Sequence, residues 1–204
     1  MKRVHKNIKP QVDERLRQFK KNDTKDKIEK EFFFCLLTPQ CKARVCWDNV
    51  ERLSANGILH EGTEKQISEN FCGVRFRNNK AGYIVEARSK FFNGKSSFLD
   101  MLSEEKDEKV LRKHIADNVK GMGYKEASHF LRNIGKGGEL AILDRHILRG
   151  LFMAGVIKKI PNAMTASQYI MTEEFMKKFA GEIKIPMPHL DFVFWYFFNK
   201  EVFK

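Results

Sequence analysis

The stretch KGMGYKEAS, Lys120 to Ser128, puts a lysine where a helix should begin, directly behind two glycines that flank one residue. A cation in the first turn of a helix is opposed by the dipole, which is positive at that end. Two uses would offset that cost. Lys125 can contact a phosphate, reinforcing backbone N–H groups that the glycines leave uncovered. Alternatively, the positive helix end, a partly buried setting and nearby basic residues favour the neutral amine, which is a nucleophile. A nucleophilic amine needs a carboxylate to take up a proton or to stabilise positive charge at the reacting centre. Asp144, 19 residues further on, is the candidate. It also precedes RHILRG as a good N-cap, and the two roles are compatible because capping holds the carboxylate in place.

The elements that must position this pair follow the helical period. EKVLRKHIADNV carries Val110, Leu111, Ile115 and Val119 on one stripe, and a second helix runs from about Tyr124 to Ile134. Residues from about 108 to 134 therefore read as a helix-hairpin-helix in which Gly121, Met122 and Gly123 turn N–H groups toward a phosphate. A plain pair of helices whose glycines only make the bend is the alternative. GKGGE is a turn and LAILD a short apolar piece, extended or irregular. From Lys125 the helix covers roughly 15 Å in about ten residues, and five extended residues at about 3.3 Å each return a similar distance, so the two side chains can meet. A P-loop is excluded, because one residue rather than four separates the glycines and Tyr124-Lys125 follows them. A dinucleotide fingerprint fails too, with Glu126 where its third glycine belongs and a helix where its strand belongs.

The rest of the chain is also helical in pattern. Val12, Leu16 and Phe19 share a face, KIEKEFFFCLL reads as a more fully buried helix ending before Thr38-Pro39, and a helix from about Lys42 to Ala55 stops at Gly57. Asn78 or Asn79 can cap KAGYIVEARSKFF, which should end at Gly94. Two last helices are expected near Thr165 to Ala180 and Pro188 to Val202, parted by IPMP. The expected fold is all-α, about ten helices in a single domain over residues 1–204, with a middle lobe from the Thr38 region to about Ile160.

Composition narrows the partners. Lys and Arg number 38 against 26 Asp and Glu, for a net charge of +12, which suits a polyanion such as nucleic acid or an acidic membrane surface. No apolar run is long enough to span a membrane and the N-terminal stretch is polar, so a soluble intracellular protein is expected. The four cysteines, Cys35, Cys41, Cys46 and Cys72, form no CxxC pair, and the six histidines no helical His-x-x-x-His pair. Free thiols and no metal site are expected.

The run VKGMGYKEASHFLRNIGKGGELAILDRHILR resembles the helix-hairpin-helix DNA glycosylase superfamily, with its glycine hairpin, its lysine entering the second helix and its aspartate just under twenty residues later. LLTPQCKA, GVRFRNNKAGYIVEAR and the closing aromatic run with a C-terminal lysine are similar to the compact 8-oxoguanine DNA glycosylase/lyase branch typical of archaea and some thermophilic bacteria. The resemblance covers nearly the whole chain. It implies two helical lobes with the active site in the cleft between them, and base excision repair of double-stranded DNA containing 8-oxoguanine. The Lys125 amine would attack C1′ of a flipped-out nucleotide and form a Schiff base, β-elimination would nick the strand, and Asp144 would stabilise the developing positive charge. It further implies Gln40 as the side chain that probes or fills the gap left by the base, Trp195 as a ring stacking on the lesion, and Lys204 with a chain-end carboxylate at the base's polar edge. Gly82 and Tyr83 lie in a plausible second wall. A monovalent cation held by hairpin carbonyls, a monomer and a nucleoid-associated location are further expectations. The endonuclease III branch often carries four cysteines near its C-terminus; none follows Cys72 here, so no iron-sulfur cluster is expected.

Other readings remain open on the residues alone. Gln40 is also an ordinary exposed loop residue, and most aromatics of LDFVFWYFFNKEVFK are core. A noncatalytic DNA-binding module would use Lys125 only as a phosphate contact. A glycosylase for another oxidised base would keep the same lysine chemistry and change only the pocket.

Overall fold

The computed structural model describes residues 1–93 and 98–204, and among them the chain forms twelve α-helices and one π-helical turn. The Gly94 expected to end a helix lies outside the described residues. The chain divides into two compact units, a middle unit of residues 23–130 and a terminal unit of residues 1–22 and 131–204. The middle unit thus starts earlier and ends earlier than the lobe expected from Thr38 to about Ile160.

In the middle unit, α2 (Lys25–Leu37) is buried on every side from Glu31 to Leu37. Its consecutive phenylalanines explain this. Phe32 meets Phe33, Phe92, Phe98 and Phe130 edge to face, with ring centroids 5.1–5.8 Å apart. Such contacts add to simple area burial because each ring's positive edge faces a negative face. Helix α3 (Ala43–Ala55) packs on α2 and passes through Gly57 into the short α4 (Ile58–Glu61). Gly57 has φ +76°, which lets the chain turn sharply there. Helix α5 (Glu64–Asn70) opens with a reciprocal Thr63/Gln66 capping box and packs on α6 (Arg77–Ala87).

Helix α6 starts earlier than its asparagines suggest. Phe76 is the residue ahead of it, with φ +56°, and Asn78 and Asn79 lie inside the first turn. The helix then widens into a π turn over Arg88–Phe92, whose Arg88 donates to the carbonyls of Leu59 (3.1 Å) and Gly62 (2.8 Å). Those are carbonyls that the four-residue α4 cannot satisfy itself. After α7 (Phe98–Glu104), Asp107 caps α8 (Glu108–Asn118) through the N–H groups of Lys109 and Val110. Leu111, Ile115 and Val119 of the expected stripe are buried, whereas Val110 is 52% exposed. The hairpin leads into α9 (Tyr124–Asn133).

In the terminal unit, α1 (Lys2–Phe19) packs on α12 (Met187–Asn199) through Ile8, Val12, Phe19, Phe192 and Val193. Arg132 is 5% exposed, with its guanidinium 5.1 Å from the Phe19 ring and 4.7 Å from Phe192 and a 3.0 Å ion pair to Asp191. Buried charge is tolerable there because it is paired and stacked. Helices α10 (Arg145–Met153) and α11 (Ala166–Ile183) also lie against α12. Gly150 allows this, since a Cβ at that position would overlap the Phe194 ring. Helix α12 ends at Asn199, earlier than Val202, because Lys200 turns left-handed with φ +59°.

Candidate active site

Gly121 has φ +90°, and a Cβ there would lie 2.5 Å from Cδ2 of Tyr83. Glycine is therefore required twice, by backbone conformation and by the ring packed on the hairpin. Tyr83 thus supports the hairpin, with the Lys120 amine 5.6 Å above its ring. Met122 anchors the turn by a side chain only 4% exposed, while its N–H donates to the Val119 carbonyl at 3.1 Å. Gly123 N–H donates to Glu126 Oε2 at 3.3 Å, the backward half of a helix-capping arrangement that the sequence reading did not include.

Lys125 occupies the first turn of α9 with its side chain 23% exposed. Its Nζ donates to Thr38 Oγ1 at 3.4 Å and lies 3.6 Å from Glu126 Oε1. The Thr38 hydroxyl donates in turn to the Cys35 carbonyl at 2.8 Å. Thr38 closes α2, and the segment after it is held from below by Lys80, 4% exposed on α6. The Lys80 Nζ donates to the carbonyls of Leu37 (2.6 Å) and Pro39 (2.8 Å). Burial lowers the Lys80 pKa, an effect opposed by the neighbouring Cys41 and Cys46 thiols. The Cys46 thiol donates to the Leu37 carbonyl at 3.3 Å, and burial raises its own pKa. Gln40 follows directly, exposed and with φ +54°. Phe76, also left-handed, is 54% exposed with the Arg75 guanidinium 5.5 Å from its ring. Non-glycine residues in this conformation store strain of about 1–3 kcal/mol, and such strain gathers at functional positions.

In the terminal unit, Asp144 is the N-cap of α10. Its Oδ1 accepts from His146 N–H (2.7 Å) and Ile147 N–H (2.8 Å), and among the described residues Oδ2 has no hydrogen-bond partner. The LAILD segment ahead of it is buried but belongs to no helix or sheet, so its backbone groups need side-chain partners. Helix α11 provides them. Tyr169 Oη donates to the Ala141 carbonyl (2.7 Å) and accepts from Leu143 N–H (3.1 Å), and Glu173, 1% exposed, accepts from Ala141 N–H (2.7 Å). His146 lies edge to face with Trp195 at 5.2 Å, so the start of α10 and the aromatic face of α12 form one cluster. The Trp195 Nε1–H is buried with no hydrogen-bond partner among the described residues, a costly state for an indole donor. Lys204 is partly exposed beside the buried Phe203.

All four cysteines are free thiols; Cys35 and Cys46 are buried, whereas Cys41 is partly and Cys72 fully exposed. Among the described residues no group of three or more His, Cys, Asp and Glu is arranged to hold a metal ion, and no helix is long and apolar enough to cross a membrane. Thr38, Lys80, Glu126, Phe76, Tyr169 and Glu173 were given no functional role from the sequence. Only Lys80 leaves a signal there, as a cation ahead of the apolar stretch AGYIV.

The sequence model for 8-oxoguanine DNA glycosylase, Ogg-HhH, matches residues 12–185. Among curated relatives, the 8-oxoguanine DNA glycosylase/AP lyase of Fusobacterium nucleatum is 39% identical over 200 residues, 96% of this chain and 92% of that protein. The protein of the same name from Methanocaldococcus jannaschii is 36% identical over 202 residues, 97% and 93% of the two chains. Among solved structures, the M. jannaschii 8-oxoguanine glycosylase/lyase in complex with 15mer DNA containing 8-oxoguanine superposes with a TM-score of 0.87 at 31% identity, over 97% of this chain and 93% of that one. The Thermotoga maritima 8-oxoguanine DNA glycosylase gives 0.88 at 29% identity, over 100% and 96%. With an all-helical fold, a helix-hairpin-helix and similarity along nearly its whole length, the chain belongs to the 8-oxoguanine DNA glycosylase family.

Proposed function

We propose that this protein excises 8-oxoguanine from double-stranded DNA and then nicks the strand at the resulting abasic site, with Lys125 as nucleophile and Asp144 as electrostatic partner. The observation that carries the reading is the Lys125 amine at the start of α9, partly buried and donating to the Thr38 hydroxyl, in a chain of this family. The target nucleotide must leave the base stack before C1′ can be reached. The Nζ lone pair then forms a bond to C1′, and the C1′–N9 bond breaks with its electron pair leaving on the base. The departing base takes a proton from solvent, and transfer of one proton from the new ammonium nitrogen to O4′ opens the sugar ring and leaves a protonated Schiff base. Loss of a C2′ proton then expels the 3′ phosphate, cutting the strand on the 3′ side of the lesion. Asp144 Oδ2, spared by the cap, stabilises the positive charge that builds at C1′.

The hairpin around Gly121, Met122 and Gly123 receives a DNA phosphate, with a monovalent cation on its carbonyls sharing that charge. Gln40 fills the space the base leaves, Trp195 stacks on the extruded base, and Lys204 lies at the base's polar edge. The protein acts as a monomer, associated with the nucleoid. Borohydride reduction during reaction with 8-oxoguanine duplex tests the core of the reading. A covalent protein–DNA adduct is expected for wild type and absent for Lys125→Gln. A Lys125→Gln protein that still forms the adduct and nicks removes Lys125 from the chemistry, and wild type that binds DNA without ever forming one favours a noncatalytic module.

A further inference from the structure

The segment Leu37–Gln40 is held with unusual completeness for a loop. The Cys35 carbonyl accepts from Thr38 N–H (3.2 Å) and Thr38 Oγ1 (2.8 Å), that of Leu37 from Lys80 and Cys46, that of Thr38 from Cys41 N–H (3.0 Å), and that of Pro39 from Lys80. A buried lysine is an expensive way to satisfy two carbonyls, because burial penalises its charge. Water could satisfy them in an ordinary exposed loop. Two groups depend on the resulting geometry. Thr38 Oγ1 gives its proton to Cys35, so toward Lys125 it presents only lone pairs. Gln40, next along the chain, is fixed in a left-handed conformation with its side chain outward.

We propose that Thr38 and Lys80 are positioning residues for the Schiff-base step: Lys80 clamps the Leu37–Gln40 segment so that Thr38 Oγ1 aims the Lys125 amine while Gln40 is presented to the DNA. This rests on the reading of Lys125 as nucleophile. A neutral amine has two N–H bonds and one lone pair. Fixing one N–H on Thr38 selects among the three staggered arrangements about each of the Cδ–Cε and Cε–Nζ bonds, and so fixes where the lone pair points. Without Oγ1 the amine samples the other wells, and the rate of attack falls by about three- to tenfold, from dilution over rotamers and loss of one hydrogen bond.

The test is Thr38→Val, nearly isosteric and lacking only the hydroxyl, beside Thr38→Ser, which keeps it. Single-turnover base excision and borohydride trapping on 8-oxoguanine duplex are measured with enzyme in excess. Thr38→Val is expected to be about three- to tenfold slower in both with DNA affinity unchanged, and Thr38→Ser to regain most of the rate. Lys80→Met should slow the same step and also reduce the preference for lesion over undamaged duplex, because Gln40 loses its anchor. Wild-type trapping rates in Thr38→Val, or a Thr38→Ser variant as slow as the valine, overturn the proposal whether or not Lys80→Met folds. Run in parallel, Lys125→Gln separates the two levels. An adduct that persists in it sinks the nucleophile assignment, whereas a dead Lys125→Gln beside an unimpaired Thr38→Val sinks only the aiming role.

Discussion

Replacing Asp144 by asparagine and by alanine separates the cap made by one carboxylate oxygen from the electrostatic role proposed for the other. Oδ1 satisfies two N–H groups at the start of α10, at 2.7 and 2.8 Å. Asparagine keeps an oxygen in that place and is about as good an N-cap as aspartate, so the structural cost of Asp144→Asn is the lost charge–dipole attraction, about 0.3–1 kcal/mol. In a chain of this size that lowers the melting temperature by no more than about 4 °C. Asp144→Ala loses the cap as well, a further 0.5–2 kcal/mol or about 1–8 °C. Oδ2 is indifferent to the cap, and on the proposed mechanism it contributes negative charge to the stabilisation of a developing cation. Removing one preorganised stabiliser of that kind costs about a hundred- to thousandfold in rate. Single-turnover excision of 8-oxoguanine, thermal melting and DNA affinity should therefore part company. Asp144→Asn is expected to melt close to wild type, bind DNA and barely turn over, and Asp144→Ala to be as slow and also less stable. Should Asp144→Asn turn over within about threefold of wild type while Asp144→Ala loses activity in step with its melting temperature, Asp144 is a cap and nothing more.

Gly121→Ala should destabilise the protein by about 1–3 kcal/mol through its left-handed backbone and its contact with Tyr83, and weaken DNA binding with it. Adding Tyr83→Ala should recover the part due to the ring, a coupling that thermal melts of the four-member cycle measure. His189, 9% exposed, faces His5 Nε2 at 3.1 Å and Asp13 Oδ1 at 3.3 Å, with Lys9 paired to that same aspartate. Burial lowers its pKa below the usual 6.5, His5 and Lys9 lower it further, and Asp13 opposes them. The unfolded chain then binds the extra proton, so this contribution to stability is complete above about pH 6.5 and is lost as pH falls below it. Melting temperature should drop as pH falls below about 6.5, and His189→Gln should flatten that slope; a flat wild-type profile contradicts the assignment. Asp13, held below the ordinary carboxylate range by the Lys9 hydrogen bond, loses its contribution in a separate window below about pH 4.

The placement of Lys125 and Asp144 was legible because each sits at a helix start, where residue type has a strong local meaning. The helix-hairpin-helix was legible for the same reason, through glycines and the 3.6 period. What the sequence does not reveal is contact across long stretches of chain. Thr38 meets Lys125 over 87 residues and Lys80 meets Leu37 over 43, and no local pattern encodes either distance. Tyr169 and Glu173 look like ordinary residues of an amphipathic helix until the irregular LAILD backbone is seen to need a donor and acceptors. Start signals also misled. Asn78 and Asn79 are good caps, but the chain turns at Phe76, against local preference, and tertiary packing sets the boundary. Val110 reads as part of the stripe of α8 yet faces outward, because the side of α8 that is packed over carries Leu111 and Ile115 and Val110 lies off it.

The two tryptophans fall one to each unit. Trp47 lies against Phe34 at 5.7 Å in the middle unit, while Trp195 lies against His146, two positions beyond Asp144. The protein therefore carries two optical labels with separate surroundings. In a Trp47→Phe protein all tryptophan emission comes from Trp195, on which the extruded base is proposed to stack. Rapid-mixing fluorescence of that variant can time the arrival of the base, and in Lys125→Gln it can do so with every later bond-making step switched off.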